Sequence, residues 1–325
     1  MRKRTTPPEM ESKSDVRFFS SGSTLLDKVL GGGWAEGRVA NVVGDKSSGK
    51  TLLAIEACAN FALAYGAENI RYVEAEAAFD MSYAYTMGMP KGVNYTEEIH
   101  TVEEFDADLT KWLSGREGPN LYVVDSLDAL SSDAEMERTD EPTYGTEKAK
   151  ALSTMFRKRT AELRSSQTTL VIISQIRDNI GVRFGETKKR SGGRALDFYA
   201  SQIIWLAELK KLKRTVTKVE RVTGVLVRAQ CKKNKCGKPF REATFTILFN
   251  YGVDDETSML DWIKENKAED MLSEPLAEYA KQVSSAKQHD DRTELGHLQT
   301  LLKAAVNQRW NEIEEALEPP MSKYA

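Results

Sequence analysis

Eight consecutive residues, Gly44-Asp-Lys-Ser-Ser-Gly-Lys-Thr51, match the phosphate-binding pattern GxxxxGK[ST]. The glycines of such a loop let the backbone curl so that its N–H groups point at phosphate oxygens. Lys50 would reach the β- and γ-phosphates, and the Thr51 hydroxyl would be a ligand of Mg²⁺. The alternative is an accidental turn. The predicted nucleotide-binding residues of this loop are Gly44, Asp45, Lys46, Ser47, Ser48, Gly49, Lys50, Thr51 and Leu52.

Polar residues that could complete this chemistry follow three predicted strands. Asp125 comes after an apolar run and could be the second protein ligand of Mg²⁺. Glu74 and Glu76 end the predicted strand 70–76, where period-2 spacing puts both on one face, and either could orient or deprotonate the attacking water. Gln175 follows another apolar run and could sense the γ-phosphate. Without the phosphate loop, all four would be ordinary strand-end residues.

The elements that must position these residues alternate between strand and helix. Near-continuous apolar runs predict strands covered on both faces, with helices between them. This pattern predicts an α/β fold with a mostly parallel central sheet. The predicted strands are 39–43, 70–76, 121–124, 169–173 and 202–206, followed by an antiparallel pair, 222–230 and 243–249. The predicted helices are 51–65, a stretch containing Leu152, Met155, Phe156 and Leu163, and a final helix over 294–317.

Composition excludes several classes of protein. The chain has 325 residues, of which 40% are apolar and 29% charged, as in ordinary globular proteins. No apolar run approaches the length of a membrane span, and no secretory signal follows the basic N-terminus. Three cysteines are too few for a disulfide framework and fit a reducing cytoplasm, and Cys231 and Cys236 are interpreted as ordinary thiols. Three scattered histidines disfavour a zinc site.

The net charge of −3 hides an uneven distribution of charge. Residues 251–325 contain 16 acidic and 8 basic side chains. Residues 208–241 contain 12 lysines and arginines against only Glu208 and Glu220. This basic strip is either a surface for a polyanion or a solvated pair of edge strands, and charge alone does not decide between them.

Several ordered motifs together resemble the RecA-family recombinases of the bacterial type, from about Val16 to about Val253. The resemblance begins at Ser21-Gly-Ser-Thr-Leu-Leu-Asp and passes through the phosphate loop. It continues through Tyr72-Val-Glu-Ala-Glu-Ala-Ala-Phe-Asp80 and Leu121-Tyr-Val-Val-Asp-Ser-Leu-Asp. Its most specific part is Ser174-Gln-Ile-Arg-Asp-Asn-Ile-Gly-Val-Arg-Phe-Gly185 with Gly192-Gly-Arg-Ala-Leu-Asp-Phe-Tyr-Ala200.

The resemblance implies roles for individual residues around ATP and Mg²⁺. It implies that Glu76 activates water, that Asp125 lies on the Mg²⁺ side, and that Gln175 senses ATP. Asp80, Tyr83 and Phe249 would bind the nucleotide, with the Tyr83 ring stacking on adenine. Lys233 and Lys235 would reach the γ-phosphate of a neighbouring protomer, although both also belong to the basic strip.

The resemblance also implies two DNA-binding loops, at Glu137–Gly145 and Ile176–Arg190. Tyr144 and Ile180 would insert between bases, and the basic side chains and the glycines at the next helix start would hold phosphates. The implied DNA-binding residues are Tyr144, Gly145, Arg177, Ile180, Arg183, Lys188, Lys189, Arg190, Gly192, Gly193 and Arg194.

By resemblance, we expect a DNA-dependent ATPase that forms homo-oligomeric filaments on single-stranded DNA and pairs it with homologous duplex DNA in the cytoplasm of a bacterial or phage-infected cell. The alternatives are a hexameric helicase or translocase of the same superfamily and a non-catalytic filament modulator. The expected organisation is a flexible tail (1–14), a RecA-like core (15–253) and a small acidic helical domain (254–325). This short plan suits a phage- or mobile-element-encoded relative.

Overall fold

The computed structural model describes residues 16–77, 79–137, 146–178, 188–190 and 193–320. The predicted tail, 1–14, lies outside these ranges. No helix in the described ranges is long and apolar enough to cross a membrane.

Twelve strands are present in the described part of the chain, and ten of them belong to one sheet. They are β1 (Phe18–Phe19), β2 (Trp34–Ala35), β3 (Val39–Gly44), β4 (Ile70–Glu74), β5 (Asn94–Thr96), β6 (Asn120–Asp125), β7 (Thr168–Asp178), β8 (Lys188–Arg190), β9 (Gln202–Val216), β10 (Val219–Asn234), β11 (Glu242–Leu248) and β12 (Gly252–Asp254). The order in the sheet is β12-β11-β10-β9-β3-β7-β6-β4-β5, and β8 pairs with the end of β7.

The centre of the sheet is parallel, as the sequence predicts. The strands from β9 to β5 in that order pair in parallel, and β10, β11 and β12 extend the sheet in antiparallel pairing. The carboxyl ends of the parallel strands therefore share one edge of the sheet, which we call the carboxyl edge.

Ten helices are described, and they cover the two faces of the sheet. They are α1 (Thr24–Leu30), α2 (Lys50–Tyr65), α3 (Met81–Thr86), α4 (Val102–Leu113), α5 (Asp133–Met136), α6 (Thr146–Ser165), α7 (Gly193–Tyr199), α8 (Asp255–Glu265), α9 (Leu276–Gln288) and α10 (Arg292–Ala316). One core packs α1, α2 and the C-terminal helices on one face, and a second packs α4, α6 and α7 on the other. Because the central strands bury apolar side chains on both faces of the sheet, their sequences are nearly continuous apolar runs.

Four predicted strands differ from the structure by two residues or more at one or both ends. The predicted strands 169–173 and 222–230 are too short, because β7 runs from Thr168 to Asp178 and β10 from Val219 to Asn234. The predicted strand 70–76 is too long, because β4 ends at Glu74 and the chain then turns through Ala77, whose φ is 51°.

The predicted strand 202–206 is too short, because β9 continues to Val216. The second half of β9 is charged and has no apolar pattern, so the sequence does not predict it. Pairing with β10 extends the strand there.

The ends of β9 and β10 form a two-stranded arm beyond the rest of the sheet. β3 pairs with β9 only as far as Leu206, and β11 pairs with β10 only from Gly224 onward. The ends of the two strands, from Lys213 to Val222, pair only with each other, and their side chains are exposed. The arm carries four of the twelve basic residues of the strip. The reading of the strip as a solvated strand pair therefore fits its backbone, and polyanion binding stays a prediction.

The C-terminal helices pack on the core through specific ion pairs. Arg241, in the turn between β10 and β11, donates from Nη2 to Glu314 Oε2 of α10 at 2.6 Å, and its Nε contacts the other oxygen of that carboxylate. Lys238 Nζ lies 3.0 Å from oxygens of Glu314 and Glu318. Only helices follow Asp254 in the described chain, but the domain boundary there stays a prediction.

Glu56 on α2 gives the fold a testable dependence on pH. Its Oε1 accepts a hydrogen bond from the Val253 N–H at 3.0 Å, and burial raises the pKa of its carboxyl to about 7. The folded state therefore holds this proton more tightly than the unfolded chain does. The resulting stabilisation is complete below pH 4.5 and is lost as the pH rises through 7.

We expect Glu56→Gln to raise the free energy of unfolding by about 1–2 kcal/mol at pH 8 and to change it little at pH 4.5. The measurement is denaturant unfolding at several pH values. The control is Glu98→Gln, which alters an exposed carboxylate. Equal effects of Glu56→Gln at both pH values would show that the buried charge is not the cause.

Candidate functional site

The predicted phosphate loop connects β3 to α2 at the carboxyl edge. Its two glycines lie where a Cβ would crowd neighbouring side chains. A Cβ at Gly44 would lie 2.4 Å from Ser48 Oγ, and a Cβ at Gly49 would lie 2.4 Å from Ile247 Cδ1 of β11. Gly49 also has a φ of 87°, in the left-handed region that favours glycine. The loop is thus shaped by its own glycines and by a strand from far along the chain.

The Lys50 ammonium is held inside this loop. Its Nζ donates to the Asp45 carbonyl at 2.6 Å, and the Ser48 hydroxyl donates to the same carbonyl at 2.8 Å. Burial lowers the pKa of Lys50, while the carboxylates of Asp125 and Glu76 act in the opposite direction. Lys50 is therefore a largely buried cation within the electrostatic reach of the predicted metal ligand Asp125 and of the predicted catalytic residue Glu76.

Asp125 is the last residue of β6 and lies beside the start of α2. This is the position expected of a residue that binds Mg²⁺ together with Thr51. Its side chain is 5% exposed, and its Oδ2 accepts a hydrogen bond from the Tyr72 hydroxyl at 3.0 Å. Burial raises the pKa of Asp125, and hydrogen bonds from Thr51 and Tyr72 counter that rise. Thr51 and Asp125, the two predicted Mg²⁺ ligands, are thus in contact.

Glu76 and Gln175 also meet at the carboxyl edge. Glu76 Oε1 accepts hydrogen bonds from Gln175 Nε2 at 2.8 Å and from the Ser126 hydroxyl at 2.6 Å. The expectation that Glu74 and Glu76 share one face of a strand is wrong. Glu74 is buried and its Oε1 accepts the Glu76 N–H at 3.0 Å, whereas Glu76 is exposed beyond the strand end. Only Glu76 is open to solvent water.

The three predicted nucleotide-binding residues outside the loop, of which Tyr83 is expected to stack on adenine, lie on two different elements. Asp80 caps α3 by accepting the N–H groups of Ser82 and Tyr83 at 2.8 and 3.3 Å. Tyr83 is 50% exposed on that helix. Phe249 is 48% exposed and directly follows β11, the strand that packs on Gly49. Contact of these residues with a nucleotide stays a prediction.

Lys233 and Lys235 lie at the opposite edge of the sheet from the phosphate loop of their own chain. Lys233 pairs with Ile203, which pairs with Asn41 near the start of β3, whereas the loop follows the end of β3. Lys233 Nζ donates to the Phe198 carbonyl at the end of α7 at 3.1 Å, and Lys235 Nζ to the same carbonyl at 3.3 Å. Neither lysine is brought to the other predicted catalytic residues.

The predicted DNA-binding residues are described only in part. Tyr144, Gly145, Ile180, Arg183 and Gly192 lie outside the described residues. The backbones of Arg177, Lys188, Lys189 and Arg190 form the short antiparallel pair of β7 with β8, and those of Gly193 and Arg194 begin α7. β7 therefore carries both Gln175 and the start of the second predicted DNA loop.

The donor set fits Mg²⁺ held partly by phosphate. A buried carboxylate beside a hydroxyl, Asp125 with Thr51, suits a hard cation that takes its other ligands from phosphate and water. In the described residues, no group of three or more His, Cys, Asp or Glu could hold a metal ion alone. The three cysteines are free thiols, as predicted.

Sequence reasoning missed the residues that hold the site together. Ser126 orients Glu76, Tyr72 orients Asp125, and Asp128 accepts the Gln175 N–H at 2.6 Å. Ser126 and Asp128 follow Asp125 directly at a strand end, which is a local signal. Tyr72 has no such signal, because its role depends on β4 lying next to β6.

Fold and site together define an α/β nucleotide-binding protein with a phosphate loop at the centre of a mostly parallel sheet. A family model of the RecA N-terminal domain matches residues 8–254, and the chain belongs to the RecA family.

Curated relatives named Protein RecA include those of Corynebacterium efficiens, 34% identical over 257 residues, Acidothermus cellulolyticus, 34% over 252, and Streptomyces ambofaciens, 36% over 251. These alignments cover 79, 77 and 77% of this chain and 65, 71 and 66% of the relatives. The chain thus spans about two thirds of their length.

The Tyr72 hydroxyl should support Mg²⁺ binding through Asp125. We expect Tyr72→Phe to raise the Mg²⁺ concentration needed for half-maximal nucleotide binding by about tenfold, because a hydrogen bond to the metal-side carboxylate is lost. Fluorescent-nucleotide titrations at several Mg²⁺ concentrations measure this shift.

The matched control for this prediction is Tyr122→Phe. Tyr122 is equally buried on the neighbouring strand, and its hydroxyl donates to Asp108 on α4 at 2.6 Å. An equal shift in both variants would argue that loss of packing, and not the bond to Asp125, is responsible.

Proposed function

We propose that this chain is an ATP-dependent recombinase that assembles as a filament on single-stranded DNA and pairs it with homologous duplex DNA. The observation that carries the proposal is the meeting of Glu76, Gln175 and the Thr51–Asp125 pair around the phosphate loop, in a member of the RecA family. We also propose that the protein acts in the cytoplasm.

Each residue of the site has a separate role in the proposed hydrolysis of ATP. The loop N–H groups and Lys50 would bind phosphate oxygens, and Thr51 with Asp125 would hold Mg²⁺, which would neutralise phosphate charge. Glu76 is exposed, and its Oε1 is already fixed by Ser126 and Gln175. Its carboxylate can therefore orient a water and take its proton, while the buried Asp125 is committed to the metal side.

Gln175 links the nucleotide to the DNA-binding region along a single strand. Its side chain bonds to Glu76, and its strand, β7, continues to Asp178, where it pairs with β8. A displacement of Gln175 on loss of the γ-phosphate would be passed directly to the segment 176–190. This continuity supports a switch in which ATP favours the DNA-bound form.

The position of Lys233 and Lys235 supports action on a neighbouring protomer. About three residues of β3 separate the level of Lys233 from the loop, roughly 10 Å along the strand. Both ammonium groups are also bonded to the end of α7 at the far edge. This distance supports the proposal that the pair reaches the loop of a second copy, so that the ATP site would lie at an interface between protomers.

The first test measures ATP hydrolysis with and without single-stranded DNA, together with electron micrographs of the same samples. We expect hydrolysis stimulated by DNA, helical filaments on DNA, and at least a 100-fold loss of hydrolysis in Glu76→Gln with ATP binding retained. Glu98→Gln is the control, since it removes a remote exposed carboxylate. Strand exchange is then assayed on the same filaments.

Other results would contradict the recombinase proposal. Hydrolysis that ignores DNA, with closed rings in place of filaments, would favour a helicase or translocase. Filaments without hydrolysis or strand exchange would favour a filament modulator.

A mixing experiment tests whether the lysine pair acts between protomers. Lys50→Ala and the double variant Lys233→Ala/Lys235→Ala should each be inactive alone. In an equal mixture, about a quarter of the interfaces join an intact loop to an intact pair, so about a quarter of wild-type ATPase activity should return. Activity that stays at the level of the two separate variants would mean that the pair does not act in trans.

A further inference from the structure

A cavity of about 380 Å³ lies between the core and the C-terminal helices, away from the phosphate loop. α1 and the turn between β10 and β11 form one side, and α10 forms the other. Its lining residues are Thr24, Asp27, Lys28, Gly31, Gly32, Lys238, Arg241, Lys303, Asn307, Trp310, Asn311 and Glu314. This volume is sufficient for a small ligand.

The cavity combines four cationic side chains with two carboxyl groups, and most of these are already paired. Arg241 and Lys238 are bonded to Glu314. Asp27 accepts hydrogen bonds from the Ser20 hydroxyl at 2.7 Å and from the N–H and hydroxyl of Ser21 at 2.7 and 2.6 Å.

Lys28 and Lys303 are the other two cationic side chains of the cavity. Within the described residues, neither ammonium group donates a hydrogen bond or forms an ion pair. The two are close enough that the charge of Lys303, together with the larger effect of burial, lowers the pKa of Lys28. The Asp27 carboxylate partly offsets this effect, but the lining as a whole has four cationic side chains against two carboxyl groups, an excess of positive charge that an anion in the cavity would neutralise.

Other roles for the two lysines leave this arrangement unexplained. Lys28 occupies the last turn of α1, where a cation is favourable, but this does not account for a second cation beside it. Burial raises the pKa of Asp27 to about 6 and also raises that of Asp255, and the charge of Lys303 counters only a small part of each rise. Asp255 is stabilised mainly by other groups, since it accepts two hydrogen bonds from Thr24 at 2.7 Å.

The remaining lining groups suit a phosphate-bearing ligand. Lys303, Asn307, Trp310 and Asn311 follow one another at helical spacing on one face of α10. The two amides supply hydrogen-bond donors, and the half-buried ring of Trp310 supplies an apolar wall. A free carboxylate could satisfy two lysines, but amide donors on both sides of an aromatic ring favour the three-dimensional oxygen array of phosphate.

We propose that this cavity is a second phosphate-binding site, in which Lys28 from the core and Lys303 from α10 bind one phosphoryl group together. The group can belong to a free phosphate or to the backbone of duplex DNA. Because the site joins two parts of the fold, its occupancy would hold the C-terminal helices more firmly on the core.

The test uses the full chain with the phosphate loop saturated by Mg·ADP, so that a further effect of phosphate does not come from that loop. Thermal midpoints are measured while inorganic phosphate replaces chloride at constant ionic strength. We expect a saturable rise in the wild type. In Lys28→Gln and in Lys303→Gln, the phosphate concentration that gives half of this rise should increase about tenfold, since each loses a charge-assisted contact.

The matched control is Lys281→Gln, which removes an exposed lysine from α9 in the same helical region. Lys303 is itself exposed, so its substitution should not prevent folding. A parallel titration with a short duplex DNA distinguishes the two sources of phosphate. Loss of duplex affinity in Lys28→Gln and Lys303→Gln, without a saturable effect of free phosphate, would assign the site to the DNA backbone.

A saturable effect of free phosphate that these two substitutions weaken, with duplex affinity unchanged, would assign it to a small phosphate compound. If neither ligand distinguishes Lys28→Gln and Lys303→Gln from Lys281→Gln, the proposal is overturned. None of these outcomes depends on recombinase activity.

Discussion

Parallel pairing at the centre of the sheet is the constraint on which the rest of the structure depends. It forces β3, β4, β6 and β7 to end at one edge, whatever their order along the chain. The phosphate loop and Glu76 follow β3 and β4, Asp125 ends β6, and Gln175 lies in the last part of β7, so strand direction brings them within reach of one another. The individual contacts, such as Ser126 to Glu76, then set the orientation of each group.

The electrostatics of this edge are balanced by position and burial. Lys50 and Asp125 are both buried, and each charge offsets part of the desolvation of the other. Glu76 is exposed to solvent at the rim of the site, where a charged carboxylate loses little hydration free energy. Asp125 and Glu76 therefore lie in different environments. Such a difference can give two carboxylates of one site different chemical roles.

Features of the structure were predictable where their signal lies in neighbouring residues. They were missed where they depend on contacts between residues far apart in the chain. The loop, Asp125 and Gln175 were predictable because each stands beside an apolar run that ends in a polar residue. Tyr72 was not, since its bond to Asp125 depends on strand order. The outer half of β9 was missed because exposed, charged strands have no apolar pattern. Glu56 was missed as well, because nothing in the helix α2 signals a buried carboxyl.

The strand that carries the phosphate loop obtains its neighbours from distant parts of the chain. Asn41 of β3 donates to the Ile172 carbonyl of β7, 131 positions away, and Ala40 of β3 pairs with Gln202 at the start of β9. During synthesis the loop residues leave the ribosome long before either neighbour exists. A fragment that ends before β9 would contain every residue of the motif without one neighbour of β3 and without β11, which packs on Gly49. Non-local pairing of this kind makes folding slow.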